Sequence, residues 1–172
     1  DDDRMLIETW EGDARAAQIG LINVATGNVR GAQIGLVNFA RSSTFSLGLL
    51  SVFTRGRLHL DLWGQESGLL MAGIKHGSGL FHNIYGVGVH PLGDRARLAI
   101  SLGFGAHFPL SNRLFLDADL LDYAIFGASV GESAVNIAQA RAILGVRLVD
   151  HLAIFGGPSY DVAVYVDQMP DA

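Results

Sequence analysis

The chain has no cysteine in its 172 residues. That excludes disulfide staples, thiolate nucleophiles and Cys-ligated zinc or iron–sulfur centres. Charge is scarce: Asp, Glu, Lys and Arg together make up 17%, against about 25% in an average soluble domain. Lysine occurs once, at Lys75, and every other basic side chain is arginine, a bias read at this level as compositional. A net charge of −5 excludes a binder held by phosphate contacts, so no nucleic-acid partner is expected. No apolar run approaches the roughly 18 residues of a membrane helix. The opening Asp1-Asp2-Asp3 lacks the charged-then-apolar pattern of a leader.

What is present is apolar and glycine-rich. Hydrophobic residues account for 49%, glycine for 22 positions, and mean hydropathy is +0.31. The pattern has a period of two. Leu98, Ile100, Leu102, Phe104, Ala106 and Phe108 alternate with Ala99, Ser101, Gly103, Gly105 and His107. Leu58, Leu60 and Leu62 alternate with His59, Asp61 and Trp63, and Leu114, Leu116, Ala118 and Leu120 with Phe115, Asp117 and Asp119. Such alternation is the signature of strands with one apolar face. It predicts strands near 16–25, 31–39, 45–53, 57–64, 68–75, 81–90, 96–108, 113–126, 137–148 and 152–166, with an additional one at 4–10. Gly, Asn, Asp and Pro between the runs supply turns. Pairing about those turns puts Gly86 near Ser101, Gly88 near Ala99, Gly105 near Asp117, Gly103 near Asp119, Arg141 near Ser159 and Gln139 near Asp161. The connections are too short for parallel crossovers.

Two internal repeats appear. Ala17-Gln18-Ile19-Gly20-Leu21-Ile22-Asn23-Val24-Ala25 returns as Ala32-Gln33-Ile34-Gly35-Leu36-Val37-Asn38-Phe39-Ala40, with a worn third copy at Leu47-Gly48-Leu49-Leu50-Ser51. Gly86-Val87-Gly88-Val89-His90-Pro91-Leu92 is echoed by Gly103-Phe104-Gly105-Ala106-His107-Phe108-Pro109-Leu110. A period of about 15 is read as one strand plus its turn, and closure of about ten such units removes unpaired edges. The expected fold is an all-β, antiparallel up-and-down barrel of about 10 strands (8–12) that spans a membrane. Residues 1–15 form an N-terminal segment, 16–166 one barrel domain with repeats at 17–53 and 86–110, and 167–172 a tail. Leu58, Leu60, Leu62, Leu98, Ile100, Leu102, Leu114, Leu116, Leu144 and Val146 form the outward belt.

The doubled Gln-Ile-Gly-Leu-Ile/Val-Asn repeat and the Gly-x-Gly-x-His pattern, together with Ala153-Ile154-Phe155-Gly156-Gly157-Pro158-Ser159, resemble a bacterial family of surface-repeat proteins regarded as outer-membrane β-barrels. The resemblance implies a bacterial outer-membrane or cell-surface location and brings no catalytic residues with it.

On the inward face the alternation places a polar set: His59, Asp61, His107, Asp117, Asp119, Gln139, Arg141, Arg147 and Asp161. These are expected to form a salt-bridged network that fills the lumen. Carboxylates at 117 and 119 have the chemistry to hold a divalent cation, and Ser101, His59 and Asp61 supply the residue types of a hydrolase triad. Adjacent strands lie ~4.8 Å apart, so a triad spread over three strand positions is too dispersed along the wall. Gly86-x-Gly88 and Gly103-x-Gly105 lie inside strands with no following helix, which excludes a dinucleotide loop. No catalytic, cofactor or metal site is therefore expected. The expected role is a small outer-membrane or cell-surface barrel, structural, adhesive or weakly pore-like. Membrane lipid and other envelope proteins are its expected partners. The alternatives are a soluble barrel holding an apolar ligand or partner and a membrane-embedded lipid hydrolase or acyltransferase.

Overall fold

The computed structural model describes residues 6–48, 50–78, 80–91, 95–126 and 135–165. The chain is all-β, and it divides into two units of different kinds. The first holds β1 (Ile7–Trp10), β2 (Ala17–Ile19), β3 (Ile22–Ala25), β4 (Asn28–Ile34), β5 (Val37–Ala40), β6 (Ser42–Leu47) and β7 (Leu50–Phe53). The second holds β8 (Arg57–Gly64), β9 (Leu70–Gly77), β10 (Phe81–His90), β11 (Arg97–Pro109), β12 (Leu114–Ile125), β13 (Val135–Val149), β14 (Leu152–Gly156) and β15 (Ser159–Tyr165).

The first unit is a β-solenoid of about three turns. One parallel sheet has the order β1-β3-β5-β7, the other β2-β4-β6. The sequence repeat is the cause. Stacking one turn on the next puts Gln18 beside Gln33 and Asn23 beside Asn38, and then Asn38 beside Ser51. These side chains point into the coil and are buried. Gln33 Nε2 donates to Gln18 Oε1 at 2.8 Å, and Asn23 Nδ2 to Asn38 Oδ1 at 2.8 Å. Identical amides in register form such ladders because each turn satisfies the next. Glycine occupies the corner between sheets for want of room: a Cβ on Gly35 would run into the Gly20 carbonyl.

The second unit is an antiparallel sheet of order β14-β13-β12-β11-β10-β9-β8, with β15 also on β13. β14 pairs with the C-terminal half of β13 and β15 with its N-terminal half, so the two share one strand position. The sheet thus has seven positions, and it curls into a half-barrel.

The closed antiparallel barrel of about 10 strands is therefore incorrect. The three segments at 16–25, 31–39 and 45–53 are not single wall strands; each is divided between two parallel sheets of the solenoid. The segment at 4–10 contributes β1, paired parallel with β3. The physical reason lies in what the 15-residue repeat encodes. It holds two short strands and two corners, so like residues stack on like, which gives parallel pairing without a long crossover. The tail 167–172 and most of the 127–136 connection lie outside the described residues.

The solenoid docks on the convex side of the sheet. Asn83 Nδ2 donates to Gly48 O at 2.9 Å and His76 Nδ1 lies 2.9 Å from Ser51 O. Phe45 packs edge-on against Phe81, with ring centroids 4.7 Å apart. Asn83 stands opposite Phe104 in the pairing, on the outward face, and only this docking buries it.

The amide ladder gives a testable consequence. Asn38 accepts from Asn23 and donates to Ser51 Oγ and Leu47 O. Asn38→Ala leaves buried partners unsatisfied and is expected to cost about 1–3 kcal/mol in equilibrium unfolding. Unchanged stability would mean that the ladder does not hold the coil.

Candidate functional site

Strand parity decides which side chains meet on the concave face. Residues directly opposite in an antiparallel pair share a face, and the register runs Arg57, Gly77, His82, Gly105, Asp119, Arg141, Ser159 across the sheet. The next inward row runs His59, Lys75, Ile84, Gly103, Leu121, Gln139, Asp161. Curling brings these rows together across the concavity.

At the centre stands Lys75. Its Nζ lies 2.8 Å from Asp117 Oδ2, 3.1 Å from Asp119 Oδ2 and 3.5 Å from Asp61 Oδ2. Asp119 Oδ2 also accepts from Arg141 Nε at 3.0 Å, with Arg141 Nη2 in ion-pair contact at 2.9 Å, and its other oxygen lies 2.8 Å from His82 Nε2. Asp117 Oδ1 lies 2.7 Å from His107 Nδ1. An ionised carboxylate only accepts, so each histidine nitrogen facing one carries the hydrogen. Asp119 is 2% exposed and Lys75 5%. Space for this comes from Gly105, where a Cβ would strike the Asp119 carboxylate.

A second chain of hydrogen bonds runs alongside. Gln139 Nε2 donates to Asp161 Oδ1 at 2.8 Å and Tyr123 OH donates to Gln139 Oε1 at 3.0 Å. Trp63 Nε1 reaches Tyr123 OH at 3.3 Å, and Arg141 stacks 5.1 Å above the Trp63 ring. The rest of the concavity is apolar: Leu69, Met71, Ile84, Ala99, Leu121 and Ile125 pack around Tyr123.

Of the residues expected inward, Asp61, His107, Asp117, Asp119, Gln139, Arg141 and Asp161 meet in these two networks. His59 sits on the same face of the edge strand β8 but is exposed there. Arg147 does not join them. It is exposed at the end of β13, its Nη1 donating to Asn112 O at 3.1 Å. The shift comes from the strand end, where a register slip between Arg147 and Val149 interrupts the ladder. Sequence reasoning misses Lys75 and His82. Both are legible from parity, Lys75 sharing its face with Met71 and Gly73, and His82 with Gly86 and Gly88.

Two catalytic or metal arrangements can be tested against this geometry. Ser101 is buried against Tyr123 and Gly86, and its Oγ makes no hydrogen bond to His59, Asp61 or any other described residue. His82, Asp117 and Asp119 offer ligand atoms within 4.8 Å of one another. Lys75 and Arg141 already occupy the places a cation would take, so this is a neutralised ion cluster. Compared with protein-family models, curated proteins and solved structures, the chain matches none.

The network makes a sharp distinction between two arginines. Removing one partner of a buried pair strands the other charge, at about 3–5 kcal/mol. Asp119→Ala and Arg141→Ala are expected to lose about that much in unfolding experiments. Arg147→Ala, at an exposed strand end, is expected to stay within about 0.5 kcal/mol of the parent. Equal melting of the Arg141 and Arg147 variants would contradict the assignment.

Proposed function

We propose that the protein is a structural component of a bacterial outer envelope whose convex leucine face lies in lipid. The single observation that carries this reading is the inversion of polarity. Charged groups are gathered on the concave side, beside the cluster around Tyr123, while Leu58, Leu60 and Leu62 are 67%, 77% and 71% exposed on the convex one. Leu98, Leu102, Leu144 and Ile154 extend the same face across the sheet at 57%, 43%, 49% and 58% exposure. The solenoid repeats the inversion, burying Gln and Asn while Ile19, Leu36 and Leu50 stand outward at 63%, 53% and 44%. Contiguous apolar surface of this kind marks a lipid or partner interface. In membrane strands, apolar side chains face lipid and polar ones the interior. The concavity is occupied by ion pairs and the apolar cluster, which favours a structural over a conducting role.

A second reading, a soluble protein holding an apolar ligand, draws on one feature. A groove of about 580 Å³ lies between Phe45 and Leu47 of the solenoid and the outward face of the sheet, bounded by Phe104, Leu120 and Tyr160.

Vesicle flotation separates the two. Under the lipid reading the protein needs detergent to stay monodisperse and floats with phospholipid vesicles. Leu102→Arg places a charge on the lipid face and is expected to cost roughly 2–4 kcal/mol at mid-bilayer depth, reducing the floated fraction. A parent protein that is monodisperse without detergent and stays at the bottom of the gradient would overturn the lipid reading and favour the ligand-holding one.

A further inference from the structure

The half-barrel has two free edges, and they border the same gap. Among the described residues, no strand pairs with the outer edge of β8 or with that of β14 and β15. We propose that this gap receives one extended strand of another polypeptide, antiparallel to both edges, as the eighth position of the wall.

Direction is the first argument. Seven positions in an antiparallel meander leave the first and last strands running the same way. Joining β8 directly to β14 and β15 would force a parallel pairing into an antiparallel wall. One added strand of opposite sense is antiparallel to both neighbours.

Burial is the second. Inward side chains on interior strands are sealed, with Lys75 at 5%, Asp119 at 2% and Gln139 at 3% exposure. Their row-mates on the edges, His59 on β8 and Asp161 on β15, are exposed. Away from the strand ends, the wall is open where a strand position is empty.

Curvature is the third. The contacts of Trp63 with Tyr123 and Arg141 hold β8 towards β12 and β13 across the concavity. What remains is a cavity of about 230 Å³ bordered by Trp63 and Gly64 on one side and Phe155, Gly157 and Ser159 on the other. Across the gap β8, 8 residues long, therefore faces β14, 5 residues long, and the turn that follows it.

The chemistry of the occupant follows from its neighbours. Outward positions continue the rows ending in Leu58, Leu60 and Leu62 on one side and Leu152 and Ile154 on the other, so they are apolar. Inward positions lie beside His59 and Trp63 on one side and Ala153 and Phe155 on the other, so they are small and uncharged. Strand addition of this kind takes affinity from the main chain and specificity from alternate side chains. Strand edges alone carry the proposal, independently of the lipid reading.

The absence of cysteine makes the test direct. The probe is a synthetic peptide with the sequence of Arg97–Pro109, which already pairs antiparallel on both sides within the sheet. Each peptide of a set carries a single cysteine, at the position of Leu98, Ile100, Leu102 or Phe104. The protein carries Leu60→Cys or Ile154→Cys, at positions 77% and 58% exposed, with folding checked by melting. In detergent micelles with copper phenanthroline as the oxidant, both variants are expected to form disulfides with the peptide set, and a peptide with proline in place of Gly103 is expected to lose at least tenfold in capture. Capture at one edge only, or none at either, would overturn the proposal. So would a Leu60→Cys/Ile154→Cys double variant that cross-links to itself in the presence of peptide. Because micelles replace vesicles here, this outcome is independent of flotation.

Discussion

One ammonium group sets the shape of the larger unit. Lys75 Nζ reaches Asp61 on the neighbouring strand and Asp117 and Asp119 three strand positions away. A flat sheet cannot satisfy it, because those strands would lie about 14 Å apart at ~4.8 Å per step. The sheet must curl for the charge to be paired. Arg141, His82 and His107 then complete the coordination of the two inner carboxylates. Burying ions costs several kcal/mol each, so such a cluster contributes little net stability relative to an apolar core. Its effect here is selective: the curled form is the one in which no buried charge is left alone.

The two units obey the same inverted rule by different means. In the solenoid, amides of successive turns satisfy one another along the coil; in the half-barrel, ions satisfy one another across it. In both, many large apolar side chains are turned outward, and the buried apolar clusters are small, around Tyr123 in the sheet and around Val29 and Phe53 in the solenoid. The solenoid joins the sheet through that outward face, where Asn83 and His76 supply the polar contacts and Phe45, Phe53 and Phe81 the rings. The convex face is thus divided between the docked solenoid and an uncovered leucine surface.

The second unit is largely legible in the sequence. Alternation locates β8 and β10 at 57–64 and 81–90, and turn symmetry sets Gly86 opposite Ser101, Gly88 opposite Ala99, Arg141 opposite Ser159 and Gln139 opposite Asp161, as found. The β11–β12 turn is centred one residue later than expected. Gly105 therefore faces Asp119 in place of Asp117, and the slip of two leaves every side chain on its expected face. The first unit is harder to read because a 15-residue repeat fits both a strand-and-turn hairpin and one coil of a solenoid. What separates them is the buried amide at each repeat, Gln18 and Asn23, which has a partner only when copies stack in register. Lys75 escapes notice because its rarity reads as composition, although its parity matches that of Asp61.

The central claim, that the polarity of this chain is inverted towards lipid, is tested most directly along β11. With no native cysteine, single spin labels can be placed at each position from 98 to 105 in vesicle-reconstituted protein, and their collision rates measured with oxygen and with a water-soluble nickel chelate. The account predicts a period of two: labels at 98, 100, 102 and 104 exposed to oxygen and shielded from nickel, and labels at 99, 101, 103 and 105 shielded from both. Even-numbered labels as open to nickel as a label at the Ser111 turn would contradict it.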